Sequence, residues 1–136
     1  ITFWASLEYN KDVSSVIAKA KRLLSKNGLI LVLISGNSHS LAMRMLQEKC
    51  VGFIFNRTHS FNPTSLNTLL GRHAFRSCWQ YSILPETRIL LNYLSYRDPY
   101  AQGKQKLFSD IDEKALEQLI ARNCMGYKFI SIFRKV

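Results

Sequence analysis

The sequence predicts an α/β fold in which about four strands form a sheet flanked by helices. Two strands are indicated by an apolar, β-prone start at Ile1 to Ala5 and an apolar run at Leu29 to Ile34. Between them, Val13 to Leu24 carries apolar side chains at helical spacing, so the three segments form a βαβ unit. A last, largely apolar segment, Tyr127 to Phe133, predicts a central strand.

The ends of the first helix are marked in the sequence. Asp12 is a good N-cap residue, and Asn27-Gly28 predicts the helix end, because glycine tolerates the left-handed conformation found at helix C-termini. The strand that follows, Leu29 to Ile34, is apolar on both faces of the pleat. That pattern is typical of a strand covered by helices on both sides.

The middle of the chain alternates between loops and helices. A polar loop over Ser35 to Ser40 leads into a short helix predicted from about Leu41 to Lys49, and the form of Phe53-Ile54-Phe55 stays open. Asn62-Pro63 predicts the start of another helix, with Asn as cap and Pro at the first helical position. This helix ends near Gly71.

Alternating residues over Arg76 to Ile83 predict a strand that lies at the sheet edge or has one exposed side. The aromatic rings of Trp79, Tyr81 and Tyr93 are expected in core or cap packing rather than in a stacking platform. The final strand can insert between its predecessors and leave the alternating strand at the edge. The remaining predicted elements are a helix over Thr87 to Tyr96, a loop over Arg97 to Lys106, a helix capped by Ser109 or Asp110, and a turn over Asn123 to Gly126.

Composition predicts one domain over residues 1–136 and argues against a disordered or membrane-spanning chain. The 47% hydrophobic content supports a core, and the longest apolar run is far shorter than the ~20 residues that a bilayer requires. Three cysteines without a Cys-x-x-Cys pair predict free thiols in a reducing, cytoplasmic compartment. The three histidines pair with no cysteine or carboxylate at ligand spacing, so we expect no metal.

Positive charge is spread over the whole chain. With 19 Lys and Arg against 9 Asp and Glu, the net charge is 19 − 9 = +10, shared equally between the two halves. Such a field attracts anionic partners, including RNA and phosphorylated substrates, in a salt-dependent way. A solvated basic surface without a specific partner explains the same charge.

Four segments together resemble class I S-adenosylmethionine-dependent methyltransferases. Ser14 to Ser35 resembles the family's stretch in which a helix with Leu-Leu-x-x-x-Gly leads into an apolar strand. Ser6 to Tyr9 resembles the loop after the family's fourth strand, where many members have Leu-Glu-His. Arg57 to Phe75 resembles a His-containing loop and helix of small-molecule-type members, and Gly126 to Lys135 resembles their seventh strand.

The resemblance implies a partial Rossmann-like methyltransferase sheet, with the last strand antiparallel and inserted, that corresponds to the family's C-terminal half. The family's Gly-rich cofactor turn has no counterpart, since no Gly-x-Gly occurs in this sequence. A chain that opens inside a strand is expected to derive from something longer. We therefore expect S-adenosylmethionine to be the cofactor of the complete protein, an unknown small molecule to be the methyl acceptor, and the chain alone to transfer no methyl group. The open edge at the first strand is expected to pair with another chain, as in a homo-oligomer.

The same resemblance assigns the candidate site. It places Ala5, Ser6 and Leu7 beside the cofactor, Glu8 and Arg57 on the substrate side, and His59 and Tyr9 at the transferred methyl group. A neutral His59 imidazole could accept a proton from the acceptor, although positioning alone can suffice for displacement at a sulfonium. The alternatives are an ordinary turn after the first strand and a loop histidine bonded to backbone. His39 and His73 are expected at the surface or at helix ends.

Two other functions stay open at this point. A non-catalytic basic α/β module could bind RNA or an acidic protein, although no Gly-x-x-Gly loop or aromatic strand motif typical of RNA binding is present. An assembly unit could pair through its open sheet edge.

Overall fold

The computed structural model describes residues 1–47, 50, 57–85, 87 and 110–136, which form an α/β unit with a mixed four-stranded sheet flanked by helices. A short 3-10 turn, Leu7–Tyr9, follows the first strand. The strands are β1 (Thr2–Trp4), β2 (Leu29–Ser35), β3 (Phe75–Ile83) and β4 (Lys128–Lys135), and the helices are α1 (Val13–Leu23), α2 (Leu41–Leu46), α3 (Pro63–Arg72) and α4 (Asp110–Arg122).

The strand order is β1-β2-β4-β3. β1 runs parallel to β2, and β4 runs antiparallel to both of its neighbours. The predicted insertion of the last strand is thus confirmed, and the alternating strand β3 lies at the edge. The physical reason is burial, because the apolar β4 gains most where strands flank it on both sides.

One face of the sheet carries the main core. On β2 and β4 the side chains that point to this face are buried, and the apolar stripes of α1 and α3 pack on them. Burying side chains of this size stabilises the fold by about 1.5–3 kcal/mol each. The core residues of these four elements are Ile30, Val32, Ile34, Phe129, Phe133, Val13, Ile17, Ala20, Leu66 and Leu70.

The opposite face of the sheet corrects two expectations. β2 is not fully covered on both sides, since Leu29 is 46% exposed and Leu31 and Leu33 are only partly buried. Trp79 is likewise 48% exposed rather than part of the core, and its ring stacks on Tyr81 with centroids 5.8 Å apart. The alternation in β3 therefore places these aromatic rings on the more open face.

The predicted helix starts are confirmed by their caps. The Asp12 carboxylate accepts the backbone N–H of Ser15 at 3.0 Å at the start of α1. At the start of α3, Asn62 and Ser65 form a reciprocal capping box, and Pro63 occupies the first helical turn. Ser40 caps α2, whose described part runs to Leu46.

The end of α1 differs from the prediction. The helix stops at Leu23, and the chain then turns through Asn27, which takes the left-handed conformation with φ 62°. Gly28 does not adopt positive φ. It is needed for space instead, because a Cβ there would press on the Leu24 side chain and on backbone.

Several predicted elements lie outside the described residues. They are the end of the second helix at Lys49, the Phe53-Ile54-Phe55 segment, most of the helix over Thr87 to Tyr96, the loop over Arg97 to Lys106, and a cap at Ser109.

Candidate functional site

All four strands contribute to one edge of the sheet. The register pairs Ser35 at the end of β2 with Lys128 at the start of β4, and Lys128 in turn pairs with Ile83 at the end of β3. β1 ends at the same edge because it runs parallel to β2. We call this the carboxyl edge, and such edges are where open α/β sheets bind ligands.

The loop after β1 turns sharply at this edge. Ala5 takes a left-handed φ of 41°, and its N–H donates to the Leu33 carbonyl at 2.9 Å. The Ser6 carbonyl accepts the side-chain amide of Asn10 at 2.8 Å. Leu7 is fully buried, main chain included, and its carbonyl accepts the N–H of Asn10 at 3.2 Å, so this residue offers no surface to a ligand at the carboxyl edge.

Glu8 is the central side chain of the edge. It is 1% exposed, and its Oε1 accepts the backbone N–H of Ser35 at 2.7 Å. Its main-chain carbonyl accepts the N–H groups of Thr58 and His59, each at 3.0 Å, which ties the later loop to the turn after β1. The other carboxyl oxygen, Oε2, is buried and has no hydrogen-bond partner.

Arg57 lies over the end of β2. Its guanidinium packs on Gly36, which has φ +85° and where any Cβ would overlap the arginine. One Nη donates to the hydroxyl of Tyr127 at 3.1 Å, and Nε is buried without a partner. Burial alone would lower the pKa of Arg57, but its interactions with the Tyr9 and Tyr127 phenols raise the pKa above its usual value, so the side chain stays charged.

His59 completes the group. Its Nε2 is buried and has no hydrogen-bond partner, and its ring lies 5.9 Å from that of Phe61 at a tilt of 36°. Which ring nitrogen carries the proton depends on the tautomer, so Nε2 can donate or accept.

These residues form a polar cluster, the Glu8–Arg57–His59 cluster. All three buried side-chain atoms found without a hydrogen-bond partner in the described chain belong to it: Glu8 Oε2, Arg57 Nε and His59 Nε2. A buried polar group without a partner costs about 1–3 kcal/mol, and such groups call for an explanation such as a ligand or an unseen water.

The structure brings together most of the candidate residues chosen from the sequence. Glu8, Tyr9, Arg57 and His59 meet at the carboxyl edge, although Tyr9 itself is 48% exposed. Their chemical roles stay predictions. Sequence reasoning missed Tyr127 as a site residue, since its only signal was its place at the start of the predicted last strand; its hydroxyl accepts from Arg57.

Among the described residues, no three His, Cys, Asp or Glu side chains gather closely enough to hold a metal ion. None of the cysteines Cys50, Cys78 and Cys124 forms a disulfide bond. In the same part of the chain, no helix combines the length and apolar character needed to cross a bilayer. Neither protein-family models nor curated proteins give a match to this sequence.

Proposed function

We propose that this chain provides the C-terminal, substrate-side portion of a class I S-adenosylmethionine-dependent methyltransferase. The observation that carries the proposal is the Glu8–Arg57–His59 cluster, whose three unpartnered buried atoms lie at the carboxyl edge of the sheet. The strand order, with an antiparallel last strand inserted beside β2, supports it. It also agrees with the resemblance of the Ser6–Tyr9 and Arg57–Phe75 segments to that family.

The residues on the cofactor side fit the group that the resemblance implies. S-adenosylmethionine supplies a methyl group activated by a positively charged sulfonium. Ala5 and Ser6 would lie beside it at the end of β1, whereas Leu7, fully buried, would support this turn from the core. Glu8, which the resemblance places on the substrate side, follows these residues in the chain; its Oε2 lacks a partner, and a buried carboxyl oxygen suits a cation or a hydrogen-bond donor at the border of the two sides.

The residues on the acceptor side would position the substrate. Arg57 would hold an anionic part of the acceptor through its free Nε–H. His59 Nε2 would accept the proton of an acceptor hydroxyl or amine, and the Tyr9 hydroxyl, which contacts Arg57, would border the same space. Most of the rate enhancement would come from orientation, because displacement at a sulfonium needs little further activation.

The test is a titration of the isotopically labelled chain with S-adenosylmethionine, followed by backbone amide NMR. We expect weak binding, with shifts concentrated at Ala5 to Tyr9 and at His59, and no methyl transfer by the chain alone. Glu8→Gln should abolish the shifts, whereas Glu113→Gln, which makes the same change on α4, should leave them intact. Scattered shifts, or shifts unaffected by Glu8→Gln, would refute the proposal. Micromolar affinity would refute the expectation that this chain lacks the main cofactor site.

The second candidate function is a basic module that binds RNA or an acidic protein in a cytoplasmic, reducing compartment. The net charge of +10 favours anionic partners, and the lack of a disulfide among the three cysteines agrees with a reducing compartment. Binding to arbitrary RNA that falls steeply with salt would support it over methyl transfer. Pairing through the β1 edge would form homo-oligomers in either case, and sedimentation across a concentration series would detect them.

A further inference from the structure

A cavity opens at the carboxyl edge, on the side of α3 and β3 and apart from the Glu8–Arg57–His59 cluster. It has a volume of about 460 Å³ and is bordered by α2, the start of α3, β3 and the turn that links α4 to β4. Its size falls within the range of small-molecule sites, about 300–1,000 Å³. We call it the basic cleft.

The lining of the basic cleft has one sign of charge. Arg44 comes from α2, Arg122 from the last turn of α4, and His39 from the loop after β2. Among the described residues that line the cleft, none is Asp or Glu, and the charged side chains there are Arg44 and Arg122. Thr64 adds a hydroxyl at the start of the ten-residue helix α3, where the helix dipole also favours an anion.

The walls of the cleft are fixed to each other by short hydrogen bonds. The backbone N–H of Leu41 donates to the Met125 carbonyl at 2.7 Å, so the start of α2 is attached to the turn after α4. Arg44 follows Leu41 by one helical turn, and it lines the same cavity as Arg122. Asn37 is fully buried and joins the His39 loop to the same turn. A site built on such rigid supports loses little entropy on binding.

Cys124 adds no negative charge to the cleft. Burial raises the pKa of its thiol, so the group is neutral near pH 7. Cys124 lines the cavity, so the rate at which its thiol reacts with an alkylating reagent can show whether a ligand occupies the cavity.

We propose that the basic cleft binds the phosphate group of a small phosphorylated molecule, with Arg44 and Arg122 as its anion ligands. Guanidinium groups bind phosphate through paired, charge-assisted hydrogen bonds, and two of them on opposite elements define a site rather than a diffuse field. The cavity is open to solvent, and its volume of about 460 Å³ exceeds what a phosphate ion alone fills, which leaves space for an organic part. This assignment is independent of the proposed methyl transfer, since it uses none of the residues of the Glu8–Arg57–His59 cluster.

The test uses the full chain and calorimetric titration with ribose 5-phosphate, inorganic phosphate and ribose. We expect ribose 5-phosphate to bind, inorganic phosphate to bind more weakly, and ribose not to bind. Arg44→Gln combined with Arg122→Gln should weaken ribose 5-phosphate binding by about tenfold or more. The matched control, Arg22→Gln with Arg76→Gln, removes the same net charge from exposed positions outside the cleft and should retain the affinity.

A second measurement localises the ligand. In a Cys78→Ser chain, alkylation of Cys124 should slow when ribose 5-phosphate is added and should not respond to ribose. The proposal would be overturned if the two double variants lost the same affinity for ribose 5-phosphate. It would also be overturned if neither ribose 5-phosphate nor inorganic phosphate bound, or if the rate of Cys124 alkylation did not change. Binding of a single-stranded RNA oligonucleotide without binding of ribose 5-phosphate would assign the cleft to a macromolecule and overturn the small-molecule class.

Discussion

Asn37 is the side chain on which the carboxyl edge depends most, and its removal gives a measurable prediction. It is fully buried, and its amide Nδ2 donates to the carbonyls of Cys124 at 2.7 Å and Gly126 at 3.0 Å. Its Oδ1 accepts the N–H of His39 at 3.0 Å. Each such bond contributes about 1 kcal/mol, and the abandoned buried carbonyls add to the loss. We expect Asn37→Ala to cost about 3–4 kcal/mol.

The assay is urea unfolding together with thermal melting. A loss of this size corresponds to a fall in Tm of about 10 °C for a chain of this length. Asn37→Asp keeps the shape but turns an oxygen toward two carbonyl oxygens, so at neutral pH it should be at least as destabilising as Asn37→Ala. Asn123→Ala is the control, because its single bond to the Leu119 carbonyl is exposed and its loss should cost less than about 0.5 kcal/mol. Equal effects of Asn37→Ala and Asn123→Ala would refute the reasoning, as would a stable Asn37→Asp variant.

Two further predictions concern glycines and cysteines. Gly36→Ala should lower Tm and displace Arg57, because the new Cβ overlaps the guanidinium and the residue has φ +85°. Gly71→Ala has open space around it in α3, so it should stabilise the chain by about 0.5–1 kcal/mol in the same melting assay. A destabilised Gly71→Ala, or an unchanged Gly36→Ala, would contradict the described packing. In the native chain a thiol reagent should modify the exposed Cys78 first. Cys124 should react more slowly and with a rate that rises only at higher pH, because burial raises its pKa and the thiolate is the reactive form; equal rates at neutral pH would argue against this.

The topology could be predicted because it depends on burial patterns that are local in sequence. The sequence of β4 is largely apolar on both faces and that of β3 alternates, which favours insertion of β4 and an edge position for β3. The burial of β3 itself is less regular, because its pairing with β4 shifts register between Ser77 and Trp79. The caps at Asp12 and Asn62 could be predicted for the same reason, since each bonds to a residue three positions away. The end of α1 was misplaced because an Asn can take the left-handed role that the prediction gave to Gly28.

The features that could not be predicted from the sequence depend on contacts between segments far apart in the chain. Asn37 bonds to carbonyls 87 and 89 positions away, and no local pattern distinguishes it from a loop asparagine. Arg44 and Arg122 line one cavity although they lie on helices far apart in the chain. For the Glu8–Arg57–His59 cluster, the resemblance to a family supplied the long-range information, and the described geometry then brought these residues together.

The antiparallel insertion of β4 explains why the Glu8–Arg57–His59 cluster and the basic cleft both lie at the carboxyl edge. If the last strand ran parallel to β2, it would begin at the opposite edge of the sheet. The turn between α4 and β4 would then lie at that opposite edge too. Because β4 runs against β2 and β3, it begins where they end, and Tyr127 reaches Arg57 while Met125 reaches Leu41. The loop after β2 then serves both sites, with Gly36 beneath Arg57 and the following residues on the basic cleft. The directions of the strands therefore bring these loops to one edge of the sheet, and the side chains on the loops determine which ligand could bind there.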